Sequence, residues 1–473
     1  MSLVLSGDCN IITMINSVLV SGRRETDVVI VGAGLSGLAA ARDLVAQGIE
    51  VLVLEARDRV GGRLLTIDIP EGGFVDHGGQ WISEGQDNLV DLAAELGVEM
   101  FPTWGAEGAK VEYYEGERTA YQGLFPPGQP EYAREVTEAV ARLQGMADDL
   151  PLDEPWAAPQ ADVWDYLTLE AWLAENVVSP RARLTIKRGI EGVFSSGPGE
   201  TSFLAALFLV NSAQDLVRHF ATKKTGPDRR FVGGAQQLPV KMAAQLGDRV
   251  VVNAWVSHIE FDDKRVTVHA GELTVSAKRA IITLPPTLAG RIRYDPALPA
   301  ARDHLTESAP MGWVIKTHFV YDNRFWLEEG LSGAVASDVG AIKVMADNSP
   351  PSGSPAILVG FIEGAAAREL APMTREARKA AALADVARYF GERASKPIAY
   401  HEYSWGDDPF ARGAFGGYWT QGLWTTYGLV LRAPIGPIHW AGTETSATWN
   451  GKMEGAVASG KREAAKVMSA LAR

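Results

Sequence analysis

Asp27-Val28-Val29-Ile30-Val31 and, directly after it, Gly32-Ala33-Gly34-Leu35-Ser36-Gly37 decide how this chain folds. The first is a short β-branched run ending in glycine, the pattern of a parallel strand buried on both faces. A helical pattern runs from Gly37 to Gln47 and stops at Gly48, and Glu50 to Leu54 reads as a second buried strand. Together they make a βαβ unit of the usual length, about 30 residues. Its glycines have separate tasks. Gly32 allows the tight turn, Gly34 lets the backbone approach a pyrophosphate, and Gly37 lets helix and strand pack closely. The anion would sit at the positive N-terminus of the helix. Glu55 ends the second strand, where an acid accepts hydrogen bonds from an adenosine ribose. A bland glycine-rich turn needs none of this register, so a bound dinucleotide is expected.

The GxGxxG motif does not choose between FAD and NAD, but the residues just beyond the second strand do. Arg57-Asp58-Arg59-Val60-Gly61-Gly62-Arg63 puts two glycines and flanking arginines past the ribose-binding acid. Glycines there let the chain run close along a cofactor, and Arg57 and Arg63 can meet its phosphates or close over it. Asp76-His77-Gly78-Gly79-Gln80-Trp81 then sets a second glycine pair beside a large aromatic. Taken alone, that pair is equally a surface loop.

The chain has 473 residues, long enough for two or three domains and a large core. Hydrophobic residues at 46% and charged residues at 22% exclude disorder and a multi-span membrane protein. With 45 basic against 58 acidic residues the net charge is -13, which speaks against nucleic-acid binding through a basic surface. The single cysteine, Cys9, excludes an internal disulfide, a zinc cluster and a Cys–His nucleophile, and suggests a reducing compartment, the cytoplasm. Residues 1–26 read as a disordered extension. The uncharged stretch from Cys9 to Gly22 is too short to span a bilayer and lacks a basic flank. The chain ends on an amphipathic helical pattern that includes Ala464, Val467 and Leu471, so no membrane association is expected.

Residues from about 85 to 230 change character, with helical periodicity, the run Phe125-Pro126-Pro127-Gly128-Gln129-Pro130 and acidic pairs such as Asp148-Asp149. From Phe231 glycines and short strands return, among them Arg249 to Asn253 and Ala280 to Leu284. The last 40 residues hold a strand (Ile438 to Ala441), a glycine-rich turn and a long helix. The expected fold is α/β: a doubly wound, Rossmann-like FAD-binding domain from residues 27–84, 231–289 and 432–473. An α+β substrate domain with a mixed sheet would come from residues 85–230 and 290–431.

With Phe231-Val232-Gly233-Gly234, Gly312 to Lys316, and Ala441-Gly442-Thr443-Glu444-Thr445 through Glu454-Gly455-Ala456, these motifs carry a resemblance. Residues 27–473 are similar to the flavin monoamine oxidase family, both its mammalian members and its bacterial putrescine-oxidase-like ones. The resemblance implies FAD as cofactor, an amine and O2 as substrates, and leaves a homodimer open. It implies that Gly32, Gly34, Gly37, Glu55 and Arg63 hold the ADP and pyrophosphate. Arg57, Gly62, Gly79, Gln80, Trp81 and Gly442 belong to the same cofactor set. Val256 would meet the adenine side through its backbone, and Glu444 would lie by the ribityl-phosphate region. Met453 opens the last helix, whose N-terminus would stabilise negative charge on the flavin pyrimidine edge. Lys316 matches a lysine that holds a water near flavin N5. In Trp313-Val314-Ile315-Lys316 it interrupts a buried-strand pattern, where a lysine is costly unless partnered or snorkelling from a strand end.

Three positions depart from the family pattern. Where many members link FAD to a cysteine stands Ala414, so the FAD should be non-covalent. One of two tyrosines that sandwich the amine is Phe415, a tolerable change because a phenyl face still orients an amine. The other is Lys452, whose ammonium cannot form an aromatic wall and would repel a cationic amine. Either Lys452 pairs with an acidic group on the substrate, or it turns away and leaves Trp449, Trp419 or Tyr418 to line the site. No GxSxG, HExxH or Walker loop occurs, and no metal site is expected; His77, His258 and His439 read as structural. The expected activity is amine:oxygen oxidoreduction with Lys316, Phe415, Trp449 and Lys452 at the reacting end. A flavin desaturase or dehydrogenase of the same fold, or a catalytically silent scaffold, are the alternatives.

Overall fold

The computed structural model describes residues 21–104, 107–213 and 229–473, without the side chains of 190–194. Its first strand runs Gly22–Val31 and pairs in parallel with Val51–Leu54 on one side and Leu273–Ile282 on the other. The expected boundary at residue 26 is therefore corrected: residues 22–26 belong to the sheet. Arg23 to Thr26 pair with Thr274 to Ala277 through their backbones while their side chains stay largely in water. A polar exposed stretch of this kind carries no apolar signature to read. The rest of the expected extension, residues 1–20, lies outside the described residues.

Around this strand is an eight-stranded sheet in the order Val250–Val251, Val51–Leu54, Gly22–Val31, Leu273–Ile282, Val266–Ala270, Val256–Phe261, Arg293–Asp295. Ile438–Trp440 also pairs in parallel with Leu273–Ile282. Helices Leu35–Ala46 and Met453–Leu471 cover one face and meet closely. A Cβ at Gly460 would stand 2.2 Å from the Ser36 carbonyl oxygen, so only glycine permits that crossing. Ser36 and Ser459 hydroxyls lie 3.0 Å apart there, and Gly442 N–H donates to Ser36 Oγ. Gly37 is equally confined, its Cβ falling 2.0 Å from the Gly32 carbonyl oxygen. Gly37→Val is expected to open the first turn and release FAD, seen as a lower ratio of flavin to protein absorbance after purification.

The second layer is a seven-stranded sheet, Ala399–Ser404, Val314–Tyr321, Ala356–Glu363, Ile342–Asp347, Leu331–Ser337, Ala109–Tyr114, Glu117–Tyr121. It is mostly antiparallel, with one parallel pairing between Leu331–Ser337 and Ala109–Tyr114. Helices Pro130–Asp148, Pro180–Phe194 and Phe203–Ser212 form a third layer with its own core. Phe203–Ser212 is apolar on nearly every side and accordingly buried, capped by Ser202 Oγ accepting from Ala205 N–H. Among the described residues no helix is long and apolar enough to cross a membrane.

Candidate active site

A cavity of about 1070 Å³ runs from the first βα turn, past both glycine pairs, to the second sheet and the helical layer. At its near end the N-terminus of helix Leu35–Ala46 has Gly34 as N-cap with no side chain capping it, so its N–H groups face the cavity. Gly62 faces Gly34 with its φ of +57° in the left-handed region, which favours glycine there. Glu55 is fixed in place by accepting from Ala33 N–H at 2.9 Å and Arg57 N–H at 3.0 Å. Arg57 in turn pairs with Asp408 at 2.7 Å, which also accepts from the Tyr403 hydroxyl. An acid at the end of the second strand, an uncapped helix N-terminus and a side-chain-free glycine cradle fit the ADP half of FAD.

Farther in, Lys316 lies third in an eight-residue strand and is 2% exposed. It is not a strand-end lysine reaching for water. Its ammonium donates to Gly78 O at 2.9 Å and to Gln80 Oε1 at 2.7 Å, over the rings of Trp81 and Phe361. Gln80 Nε2 donates to Asn348 Oδ1, which fixes the amide with its oxygen toward the lysine. Burial pulls Lys316 down to about 7, with Asp76 opposing and Arg230 assisting. His77 beside it, also on the cavity wall, is pulled to about 3 by burial and by Lys316, and is neutral.

Phe361 makes an edge contact with Phe415, ring centroids 6.1 Å apart, so the lysine and the aromatic wall share one neighbour. Arg63 holds the Phe415 segment by donating to the Phe415 carbonyl at 2.8 Å, and it grips Glu444 with two bonds of 2.5 and 3.0 Å. On the facing side Met453 begins the C-terminal helix with Lys452 as N-cap and no side-chain cap, again leaving N–H groups toward the cavity. Trp449 lines the same wall, buried, with φ +52° and its indole N–H on Gly85 O. Lys452 reaches the cavity half-buried; burial lowers it to about 8 and the Glu363 charge works against that.

A model of the flavin containing amine oxidoreductase family matches residues 35–468. The chain belongs to that family. A probable flavin-containing monoamine oxidase A of Dictyostelium discoideum is 37% identical over 94% of this chain and 98% of its own length. An L-amino acid dehydrogenase of Synechocystis is 34% identical over 96% of this chain and 97% of its own. A solved putrescine oxidase superposes with a TM-score of 0.91 at 35% identity, covering 95% of this chain and 100% of that one. Cyclohexylamine oxidase from Brevibacterium oxydans gives 0.90 at 34%, with the same coverage. This protein is thus a flavin-containing amine oxidase with FAD as its cofactor. With Ala414 on the cavity wall and no cysteine among the described residues, no thioether to the flavin forms there.

Most of the oxidase's expected site residues do line the cavity: Gly32, Gly34, Glu55, Arg57, Gly62, Arg63, Gly79, Gln80, Trp81, Val256, Gly442 and Met453, with Lys316, Phe415, Trp449 and Lys452. Three readings are corrected. Gly37 does not reach the lining and serves packing alone. Glu444 is buried behind the wall, where it orients Arg63 and accepts from Gly417 N–H at 3.1 Å. Tyr418 and Trp419 turn into the helical core, Trp419 against Trp424 at 4.5 Å, and so cannot stand in for the missing tyrosine. Strand pairing also gathers His258, Glu260 and His269, which the sequence spacing does not show, within 4.8 Å of one another on the outer face of the first sheet. Sequence reasoning misses Phe361 and Glu363. A carboxylate ending the otherwise apolar run Ala356–Glu363 is the available signal for the second.

Proposed function

We propose that this oxidase acts on an amine that also carries an acidic group, and that Lys452 binds the acid. The carrying observation is Lys452 itself, on the cavity wall where the family pattern has an aromatic side chain. The L-amino acid dehydrogenase relative, whose name specifies an acid-bearing amine, supports the same reading. Bound FAD supplies the two-electron acceptor: the amine loses a hydride equivalent, the imine is hydrolysed to a carbonyl compound and ammonia, and O2 takes the electrons to become H2O2. The chain's own residues orient and polarise. Phe415, Phe361 and Trp449 enclose the apolar body and exclude water, and Lys452 fixes the acid. Lys316 holds a positive charge among Gly78, Gln80 and Trp81, where O2 would acquire negative charge. With one cysteine in the whole chain, we place the enzyme in the cytoplasm.

Anaerobic bleaching of the flavin tests this reading. The panel is benzylamine, putrescine, a secondary amine, an ω-amino acid and an α-amino acid, against wild type and Lys452→Tyr. Acid-bearing amines are expected to bleach the wild type, and the substitution to slow them about 30-fold while speeding benzylamine. Equal bleaching by benzylamine in both proteins would make Lys452 a bystander. Because the cation is the form present below about 8, KM for the acid-bearing amine is expected to rise as pH climbs past that value.

A further inference from the structure

His258 and Glu260 are two apart in strand Val256–Phe261 and so share a face, and antiparallel pairing sets His269 of strand Val266–Ala270 opposite His258. The two imidazoles lie face to face, ring centroids 5.1 Å apart and planes 16° from parallel. One carboxylate oxygen stands near both: Glu260 Oε1 is 3.3 Å from His269 Nε2 and 3.8 Å from His258 Nδ1. Taken one ligand atom per residue, the three donors fall within 4.8 Å of one another. Nε2 of each ring is shielded from solvent yet makes no hydrogen bond. A shielded polar atom without a partner costs stability, and two in one pair of rings call for an explanation.

We infer that His258, Glu260 and His269, none of which lines the flavin cavity, form a binding site for a divalent transition-metal ion of the Zn2+ kind. Two imidazole nitrogens and one carboxylate oxygen are the donor set of an open Zn2+ site, with water completing the tetrahedron. Bonds of about 2.1 Å put neighbouring donors of a tetrahedron about 3.4 Å apart. The 3.3 Å separation already meets this, and the 3.8 Å one needs a small closure. The remaining closure takes only side-chain turns, because the ladder already fixes the backbones. An ion can enter, since the side chains of His258, His269 and Glu260 are 23%, 30% and 52% exposed. Further support comes from the next strand, Leu273–Ile282. Thr274 stands opposite His269, and its hydroxyl is 3.5 Å from His269 Nδ1. A hydroxyl that accepts from Nδ1–H leaves the Nε2 lone pair for the metal, the usual arrangement of a ligating histidine. The flanking charges balance, with Asp295 opposite Glu260 and Arg293 opposite His258 on strand Arg293–Asp295. Two nitrogens and a single carboxylate disfavour Mg2+ and Ca2+, which take oxygen ligands. The ion would staple the two strands together and add its binding free energy to the folded state. Its effect falls on stability and not on turnover.

The test is calorimetric titration of ZnCl2 into the FAD-loaded, tag-free enzyme after EDTA treatment and dialysis. One Zn2+ per chain is expected, bound at least tenfold more tightly than by His258→Gln or His269→Gln. The melting temperature is expected to rise with ZnCl2 in the wild type alone, and MgCl2 and CaCl2 should leave it unchanged. Both histidines are partly exposed, so the variants should fold; equal flavin content and equal melting temperature without metal check this. CoCl2 gives a second readout, the visible d–d bands of a four-coordinate site in the wild type, absent from the variants. Equal Zn2+ affinity in the wild type and both variants overturns the site, as does the lack of a stoichiometric binding event. A melting temperature that rises equally in all three proteins places the metal elsewhere and overturns it too.

Discussion

Replacing Lys316 by methionine is expected to slow the reaction of the reduced enzyme with O2 by about 100- to 1000-fold, the usual effect of removing a preorganised group at a developing charge. Anaerobic reduction by the amine should change far less, because Lys316 faces the electron-accepting step and not the C–H bond. Stopped-flow mixing of substrate-reduced enzyme with oxygenated buffer separates the two. The size of the effect comes from preorganisation. Lys316 is held by one backbone and one side-chain oxygen, the second itself fixed by Asn348, so no reorientation accompanies the arrival of negative charge. Burial brings the ammonium down to about 7, and the charged form exists below that value. The O2 reaction of the wild type should therefore be fast near pH 6 and decline as pH rises through 7 to 8. The methionine variant should be slow and flat throughout. Equal O2 rates in both proteins would remove Lys316 from the oxidative chemistry.

Lys316 also shows which parts of the site can be read from a sequence. It stands out because a charged residue interrupts a strand pattern, and the partners that make this tolerable come from a glycine motif 236 and 238 positions away. The first βα turn is legible for the opposite reason: Gly32, Gly34, Gly37 and Glu55 lie within one supersecondary unit, so spacing alone defines their geometry. Pairings across layers leave no such trace. Arg57 and Asp408 are 351 residues apart, and nothing in either segment announces the other. Tyr418 and Trp419 come directly after the site segment, yet the chain turns them into the helical core, where Trp419 and Trp424 pack against each other. Aromatic character alone does not distinguish a cavity wall from that core. The opening strand reads too short at its start because residues 22–26 contribute backbone pairing with little apolar burial.

Arg63→Ala is expected to destabilise the protein by about 3–5 kcal/mol, because it strands a buried carboxylate. Glu444 is 1% exposed, and its acceptor oxygens are satisfied by Arg63 and by Gly417 N–H. Burial alone would push the Glu444 carboxyl up; the Arg63 charge and hydrogen bonds outweigh it and hold the group below its ordinary value. In the wild type this pairing contributes stability at pH above the unfolded carboxylate value, and that contribution is lost as pH falls through the folded one. Without Arg63 the sign reverses: the folded carboxyl sits above its unfolded value. The loss is then largest at neutral and alkaline pH and shrinks as acid protonates Glu444. Denaturant unfolding at pH 5 and pH 8 should show the smaller deficit at pH 5. Adding Glu444→Gln to Arg63→Ala should recover part of the stability, since an amide needs no counter-charge, and this double-mutant comparison isolates the buried charge from lost packing. FAD retention should not recover with it. Arg63 also lines the cavity and ties down the Phe415 carbonyl, and neither contact returns with the glutamine. A full recovery of both would mean that Arg63 serves only to neutralise Glu444.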